Sequence, residues 1–151
     1  MSKISIGQIQ KLREETGISI SECKKALEEA GGDVEKAKAL LREWGKEVAT
    51  KKQAREVLAG LVSSYVHGTG KIGSLVAVRC ETDFVARSGD FKNLCHELAL
   101  QVASLEAESV DDLLGQQYIK DPARTVKDVI EEYVAKLGEN IVVEKFTRFS
   151  L

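Results

Sequence analysis

The amino-acid sequence predicts an α+β protein: a three-helix N-terminal module, then a core in which helices pack on a three-stranded antiparallel sheet. Helical spacing of the apolar residues changes to the alternation typical of strands near residue 57, and helical spacing returns near residue 91. A run of strands, then helices, then a final strand favours the α+β class. We expect the helical module at residues 1–45, a basic linker at 46–56 and a core domain at 57–151.

Capping signals define the three helices of the N-terminal module. Each helix opens on residues that cap helix N-termini, namely Ser5-x-x-Gln8, Ser19-x-x-Glu22 and Asp33. Each helix is expected to end at glycine, namely at Gly17, Gly31-Gly32 and Gly45. A module of this size buries little apolar surface, so we expect it to be marginally stable by itself.

The core domain is expected to begin with a β-hairpin. Residues 57–66 and 72–80 are rich in β-branched and apolar side chains, and they flank a turn at Gly68-Thr69-Gly70. Two helices and a third strand then complete the core. The signals that place them are Asp90 as an N-cap, an irregular segment at 107–125, Gly138 as a helix end and a third strand at 140–149.

The bulk composition predicts neither a nucleic acid nor a membrane partner. The net charge is -2 at pH 7, and no apolar run approaches the roughly 20 residues that cross a bilayer. Three widely spaced cysteines predict a reducing compartment and no disulfide framework. The first residues have neither an apolar signal core nor Arg-rich transit character. We expect a cytoplasmic protein, with a processed organellar form as the alternative.

Catalytic and metal-binding motifs are absent from the sequence. It contains no phosphate loop, no Ser-His-Asp pattern and no Cys-x-x-Cys pair. The adjacent residues Cys95 and His96 make a poor shared site, because neighbours on a helix point about 100° apart. We therefore expect a protein that is not an enzyme and that holds neither a metal ion nor a cofactor.

The basic linker has two interpretations. Its cations are Lys46, Lys51, Lys52 and Arg55. We favour a solvated linker or helix over a contact with RNA, because no aromatic side chain is interleaved to stack on bases.

One aromatic ring lies in the segment CETDFVAR, residues 80–87, which we call the Phe84 turn. Only 5% of the chain is aromatic, and the alternation of the preceding strand stops at this point. From the residues alone we expect Asp83 to be a helix N-cap and Phe84 to be a core residue. The alternative is that Phe84 points outward and enters a pocket on another protein.

Several short motifs carry a resemblance to a known family. Residues 31–37, GGDVEKA, resemble ubiquitin-associated domains, so that the N-terminal module is UBA-like. The further motifs are LREETG at 12–17, CKKAL at 23–27, VAVRCETDFVARSGDF at 76–91 and LGENI at 137–141. Together, and in this order, they resemble the elongation factor Ts family over nearly the whole chain.

The resemblance implies a guanine-nucleotide exchange factor of protein biosynthesis. Such a factor binds elongation factor Tu–GDP and promotes GDP release by disturbing the Mg²⁺ and phosphate site. The resemblance implies that Phe84 is the wedge at that site and that Asp83 holds the turn and accepts hydrogen bonds. Thr82 and Val85 are expected to support the turn.

The resemblance also implies a second contact with the partner. It places Arg13, Ile20 and Lys24 on the face of the N-terminal module that docks against the GTPase domain. For Lys24 the alternative is a solvated helix cation.

The chain departs from the family pattern in three places. It carries one copy of the core where many members carry two, which implies a short form and a homodimer with a symmetric interface through the core domain. The segment 107–124 looks shorter than in familiar short members. Ile20 and Ser21 stand where members often have two methionines.

Two other kinds of function remain as alternatives, both without exchange activity. A ubiquitin-associated-type adaptor would use the N-terminal module alone, and an RNA-binding adaptor would use the basic linker. Neither explains the motif in the Phe84 turn.

Overall fold

The computed structural model describes residues 3–151 and confirms the α+β class, with helices packed on a three-stranded antiparallel sheet. The described residues form seven helices and five strands. In chain order these elements are α1 (Ile6–Thr16), α2 (Ile20–Glu29), α3 (Val34–Lys52), β1 (Ala59–Val66), β2 (Ile72–Cys80), α4 (Asp83–Ala86), α5 (Gly89–Ser104), α6 (Val110–Gly115), β3 (Gln117–Tyr118), β4 (Asp121–Thr125), α7 (Val126–Leu137) and β5 (Val142–Ser150).

The helices of the N-terminal module begin where the sequence predicts. The side chains of Ser5, Ser19 and Asp33 each accept a hydrogen bond from the backbone amide three residues later. Gly17 ends α1 with φ at 69°, a left-handed conformation that glycine adopts readily because it has no Cβ. A small apolar cluster joins the three helices: Leu12, Cys23, Ala26, Leu27, Ala37 and Leu41.

Helix α3 does not end at Gly45, so that prediction is wrong. It continues to Lys52, which makes residues 46–52 of the predicted basic linker helical. Gly45 is buried, and a Cβ atom built there would lie 3.3 Å from the Cβ of Ala135 on α7. The missing side chain lets the two helices approach closely, and their packing outweighs the roughly 1 kcal/mol that glycine costs inside a helix.

Polar contacts extend the α3–α7 interface beyond Gly45. The Lys46 ammonium lies 4.0 Å from the Asp128 carboxylate. The Lys52 ammonium donates a hydrogen bond of 2.7 Å to the backbone oxygen of Gly138, just after α7 ends. Exposed ion pairs contribute only about 0–1 kcal/mol each, so these polar contacts add little to the apolar packing of the two helices.

The three-stranded sheet has the order β1-β2-β5, and β1 and β2 form the predicted antiparallel hairpin. The inner face of β2 buries Val76 and Val78. Helix α5 covers that face with Phe91, Leu94 and Leu98, which are also buried. The sheet and α5 therefore enclose the main core.

Two predictions about the core need correction. Ser88 caps α5, because its hydroxyl accepts a hydrogen bond from the Phe91 amide at 3.2 Å, and Asp90 lies inside the first turn. A carboxylate in the first turn is favoured by the helix dipole, so the acidic residue marked the helix start without being its cap.

The segment 107–125 is not irregular, since it forms α6 and the β3–β4 hairpin. Two buried residues of α5 provide its polar links. Glu97 accepts hydrogen bonds from the Tyr118 hydroxyl at 3.1 Å and the Lys120 ammonium at 2.6 Å, and Gln101 accepts the Ile119 amide at 3.0 Å. Burial, together with the Glu97 charge, raises the pKa of Tyr118 to about 12. Strands of two and five residues are too short to show a periodic pattern, which is why the prediction missed them.

The close approach of α3 and α7 predicts a steric effect at Gly45. Gly45→Leu should lower the free energy of unfolding by about 1–3 kcal/mol, because the added side chain has no room beside Ala135. Thermal unfolding followed by circular dichroism measures it. Glu47→Leu is the control at an exposed position of the same helix, and it should change stability by less than about 0.5 kcal/mol.

Candidate partner-binding site

The Phe84 turn begins where β2 ends at the buried residue Cys80. Thr82 adopts an extended conformation, and its hydroxyl accepts a hydrogen bond from the Val85 amide at 3.3 Å. Thr82 is therefore the N-cap of α4, and Asp83 is the first residue of that helix. The expectation that Asp83 is the cap is wrong by one residue, because the threonine hydroxyl takes that role.

Helix α4 separates the buried and exposed side chains of the turn. Val85 and Ala86 are buried in the main core, whereas the Phe84 side chain is 87% exposed. The expectation that Phe84 is a core residue is therefore wrong, and the outward alternative agrees with the structure. Val85 and Ala86 take the inward positions of this one-turn helix, and Phe84 lies on its solvent side.

The carboxylate of Glu139 binds the residues that lead into α4. One of its carboxylate oxygens accepts hydrogen bonds from the backbone amides of Glu81 at 3.0 Å and Thr82 at 2.9 Å. The other oxygen accepts the Thr82 hydroxyl at 2.7 Å. Sequence reasoning missed this residue. The available signal was its position directly after Gly138, the glycine that ends α7 with φ at 74°.

The electrostatics of the turn do not favour covalent chemistry. Burial, together with the negative charge of Glu139, raises the pKa of Cys80 to about 11. Burial raises the pKa of Cys95 to about 12. Both thiols are protonated near neutral pH, and a protonated thiol is a weak nucleophile and metal ligand. Within residues 3–151 no three His, Cys, Asp or Glu side chains are grouped as metal ligands.

A groove lies beside the turn at the end of the sheet. It encloses about 330 Å³, and its lining includes Asp83, exposed Leu58 and Val62, and the Arg79–Glu144 ion pair of 2.8 Å. The turn thus offers an aromatic ring, a carboxylate and an apolar wall at one surface, which suits contact with another protein.

The three predicted residues of the N-terminal module lie on other elements. Ile20 and Lys24 are exposed on α2, one helical turn apart, so they share a face. Lys24 lies 3.8 Å from Glu28, an exposed pair that also fits its interpretation as a solvated cation. Arg13 is exposed in the last turn of α1.

A path of contacts connects the N-terminal module with the region of the Phe84 turn. A side chain at Gly17 would collide with Lys136 of α7. The Lys136 ammonium lies 3.2 Å from Asp90, at the start of α5. The loop between α1 and α2 is therefore packed against the part of the core that follows the turn.

Most cations of the predicted basic linker contact the protein itself. Besides Lys46 and Lys52, which contact α7, Arg55 lies 3.6 Å from Glu81. These contacts favour the interpretation as a solvated helix and linker over an RNA contact. Within residues 3–151 no helix is long and apolar enough to cross a membrane.

The fold defines a class of α+β proteins in which one long helix fixes a small helical module to the core. The site adds an exposed aromatic ring on a capped turn of that core. Comparison with known proteins identifies the family. The family model described as Elongation factor TS matches residues 81–151, which include the Phe84 turn from Glu81 onward.

Individual relatives match the chain over most of its length. A protein named Elongation factor Ts from Coprothermobacter proteolyticus is 42% identical over 194 aligned positions, which span 99% of this chain and 98% of the relative. One from Caldanaerobacter subterraneus is 39% identical over 191 positions, with 97% and 96% covered. The chain belongs to the elongation factor Ts family, the translation elongation factors of that name.

The relatives differ from this chain in length. The alignment with the Coprothermobacter protein is longer than the 151 residues of the chain, so that relative carries residues that this chain lacks. A Nostoc relative of the same name is 47% identical over 151 positions, which cover 100% of this chain but 48% of the relative.

The exposure of Phe84 predicts that removing its ring destabilises the fold much less than removing the ring of buried Phe91. Phe84→Ala should change the free energy of unfolding by less than about 0.5 kcal/mol, because the ring buries little surface. Phe91→Ala, at a fully buried position seven residues later, should cost about 3–5 kcal/mol. Chemical denaturation of both variants measures the difference, and equal losses would contradict the assignment of Phe84 to the surface.

Proposed function

We propose that this chain is a guanine-nucleotide exchange factor that binds elongation factor Tu in its GDP-bound form and promotes GDP release during translation elongation. The observation that carries the proposal is the 87% exposure of Phe84 on a turn fixed by Thr82 and Glu139. Membership of the elongation factor Ts family supplies the partner. The proposed action is a binding event without covalent chemistry.

The physical basis of the exchange is reciprocal coupling. If the factor weakens GDP binding by some ratio, GDP must weaken binding of the factor by the same ratio. Each tenfold loss of GDP affinity requires about 1.4 kcal/mol of contact that is directed against the GDP-bound conformation. A rigid aromatic ring can supply contacts of this size.

The residues of the Phe84 turn have different roles in the proposed exchange. Phe84 inserts as a wedge between apolar side chains near the Mg²⁺ and phosphate site of the partner. Asp83 is exposed beside it and accepts hydrogen bonds from the partner. Thr82 and Val85 do not touch the partner, and they fix the turn by capping and by burial.

The N-terminal module provides a separate contact in this proposal. Arg13, Ile20 and Lys24 dock against the GTPase domain and contribute affinity without acting on the nucleotide. Ile20 is an exposed apolar side chain, which suits it to a protein interface. Ile20 thus keeps the apolar contact of the first of the two methionines that family members often have here, whereas Ser21 does not replace the second.

The proposal predicts slower GDP release when the ring is removed. Phe84→Ala should slow release from elongation factor Tu–GDP about tenfold or more if the lost contact is worth about 1.4 kcal/mol. Release of a fluorescent GDP analogue under stopped flow measures the rate. Leu105→Ala truncates another exposed apolar side chain, at the end of α5 that is far from the turn, and should leave the rate unchanged. Normal release with Phe84→Ala would reject the wedge.

A homodimer through the core domain is the second part of the proposal. The outer face of the sheet carries exposed Val62, Val66, Leu75 and Phe149. Val66 and Phe149 both pair with Gly73, whose missing side chain leaves a flat surface between them. The proposed occupant of this face is a second copy of the chain, since the Nostoc relative has about twice the length in a single protein.

Light scattering tests the dimer. At tens of micromolar we expect the mass of a dimer, and Val66→Glu should give a monomer because it places a charge in the apolar interface. Ile6→Glu puts the same charge on α1 of the N-terminal module and should leave the dimer intact. A monomeric mass for the unmodified chain would exclude the dimer.

A further inference from the structure

The carboxylate of Glu139 determines where the hydroxyl proton of Thr82 lies. A hydroxyl has one proton to donate and lone pairs that accept. The Thr82 hydroxyl donates to Glu139 and accepts from the Val85 amide. Because Glu139 takes the proton, the lone pair that caps α4 stays directed at Val85. The capping of α4 thus depends on a residue far away in sequence.

The same carboxylate fixes the backbone that leads into α4. It accepts the amides of Glu81 and Thr82, which are the last two residues before the helix. A second hydrogen bond joins the same two segments in the opposite direction: the backbone amide of Asn140 donates to the Glu81 carboxylate at 2.7 Å. The buried side chain of Asn140 donates in turn to the backbone oxygen of Arg55 at 2.9 Å, in the segment after α3.

We propose that Glu139 is a positioning residue that holds the Phe84 turn in the orientation needed to present its ring. The reason for holding the ring in place rests on the proposed exchange function, whereas the hydrogen bonds of Glu139 do not depend on it. Glu139 lies beneath the turn and acts on the partner only through Phe84. Three donors on one carboxylate constrain the turn more than the single capping bond of Thr82 does.

The first test concerns the isolated chain and requires no partner. Hydrogen exchange should be measured at the amides of Val85, Ala86 and Arg87, which bond within the turn and not to Glu139. With Glu139→Ala we expect their exchange to be about tenfold faster or more, because the cap loses its orientation. Amides in the middle of α5 should be unchanged.

Two variants serve as references. Glu139→Gln retains an oxygen for the two backbone amides but puts an NH2 donor where the acceptor of the Thr82 hydroxyl stood, so it should restore only part of the protection in the turn. Glu106→Ala removes another carboxylate, one that is exposed and 3.2 Å from Arg148, and it should leave exchange in the turn unchanged. Faster exchange in the turn and in α5 alike with Glu139→Ala would show a general structural role and overturn the proposal. Unchanged exchange in the turn would overturn it too.

The second test is a double-mutant cycle on GDP release from elongation factor Tu. Glu139→Ala should slow release about as much as Phe84→Ala does, and the double variant should be no slower than Phe84→Ala alone. Additive losses would mean that Glu139 acts independently of the ring, and would overturn its positioning role. If Phe84→Ala itself has no effect, the wedge is rejected, and if the unmodified chain does not accelerate release, the exchange function fails. In both cases hydrogen exchange still decides whether Glu139 orders the turn.

Discussion

The close approach of α3 and α7 is the contact on which the other features of this structure depend. It is possible because Gly45 presents no side chain to Ala135. One side of α7 thereby receives the helix that extends from the N-terminal module. The C-terminal end of α7, reversed at Gly138, delivers Glu139 to the Phe84 turn. A single helix therefore sets both the position of the module and the orientation of the exposed ring.

The polar interior adds specificity to this packing. Within residues 3–151 every buried side-chain nitrogen or oxygen atom has a hydrogen-bond partner. Asn140 and Glu97 are the clearest examples, because each connects segments that are distant in sequence. Leaving such a group without its partner costs more than the bond contributes, so alternative packings are disfavoured. The surface ion pairs between α3 and α7 impose no comparable constraint.

Sequence reasoning succeeded where a local signal determines the local structure. The caps Ser5, Ser19 and Asp33, the β1–β2 hairpin and the helix end at Gly138 all follow from short-range patterns. These features depend on backbone geometry within a few residues, which the sequence displays directly.

The errors arose where tertiary contacts decide between local options. A glycine after a helical run can be a helix end or a close approach, and only the presence of Ala135 shows that Gly45 is the latter. Phe84, Val85 and Ala86 are all apolar, and the sequence alone does not show which of them face the core. Glu139 was visible as part of a motif, but its two partners, Glu81 and Thr82, lie almost sixty residues earlier. Long-range pairing of this kind leaves no periodic trace.

The residues that stabilise the Phe84 turn are different from the residue that it exposes, Phe84. Val85 and Ala86 bury the turn, and Thr82 and Glu139 order it, so the fold gains little from the Phe84 ring itself. An exposed aromatic side chain contributes binding free energy only if little conformational entropy is lost when it meets its partner. A turn fixed by a cap, a carboxylate and a buried neighbour has lost that entropy on folding. Rigidity beneath the ring, together with exposure of the ring, is therefore what suits this surface to act on another protein.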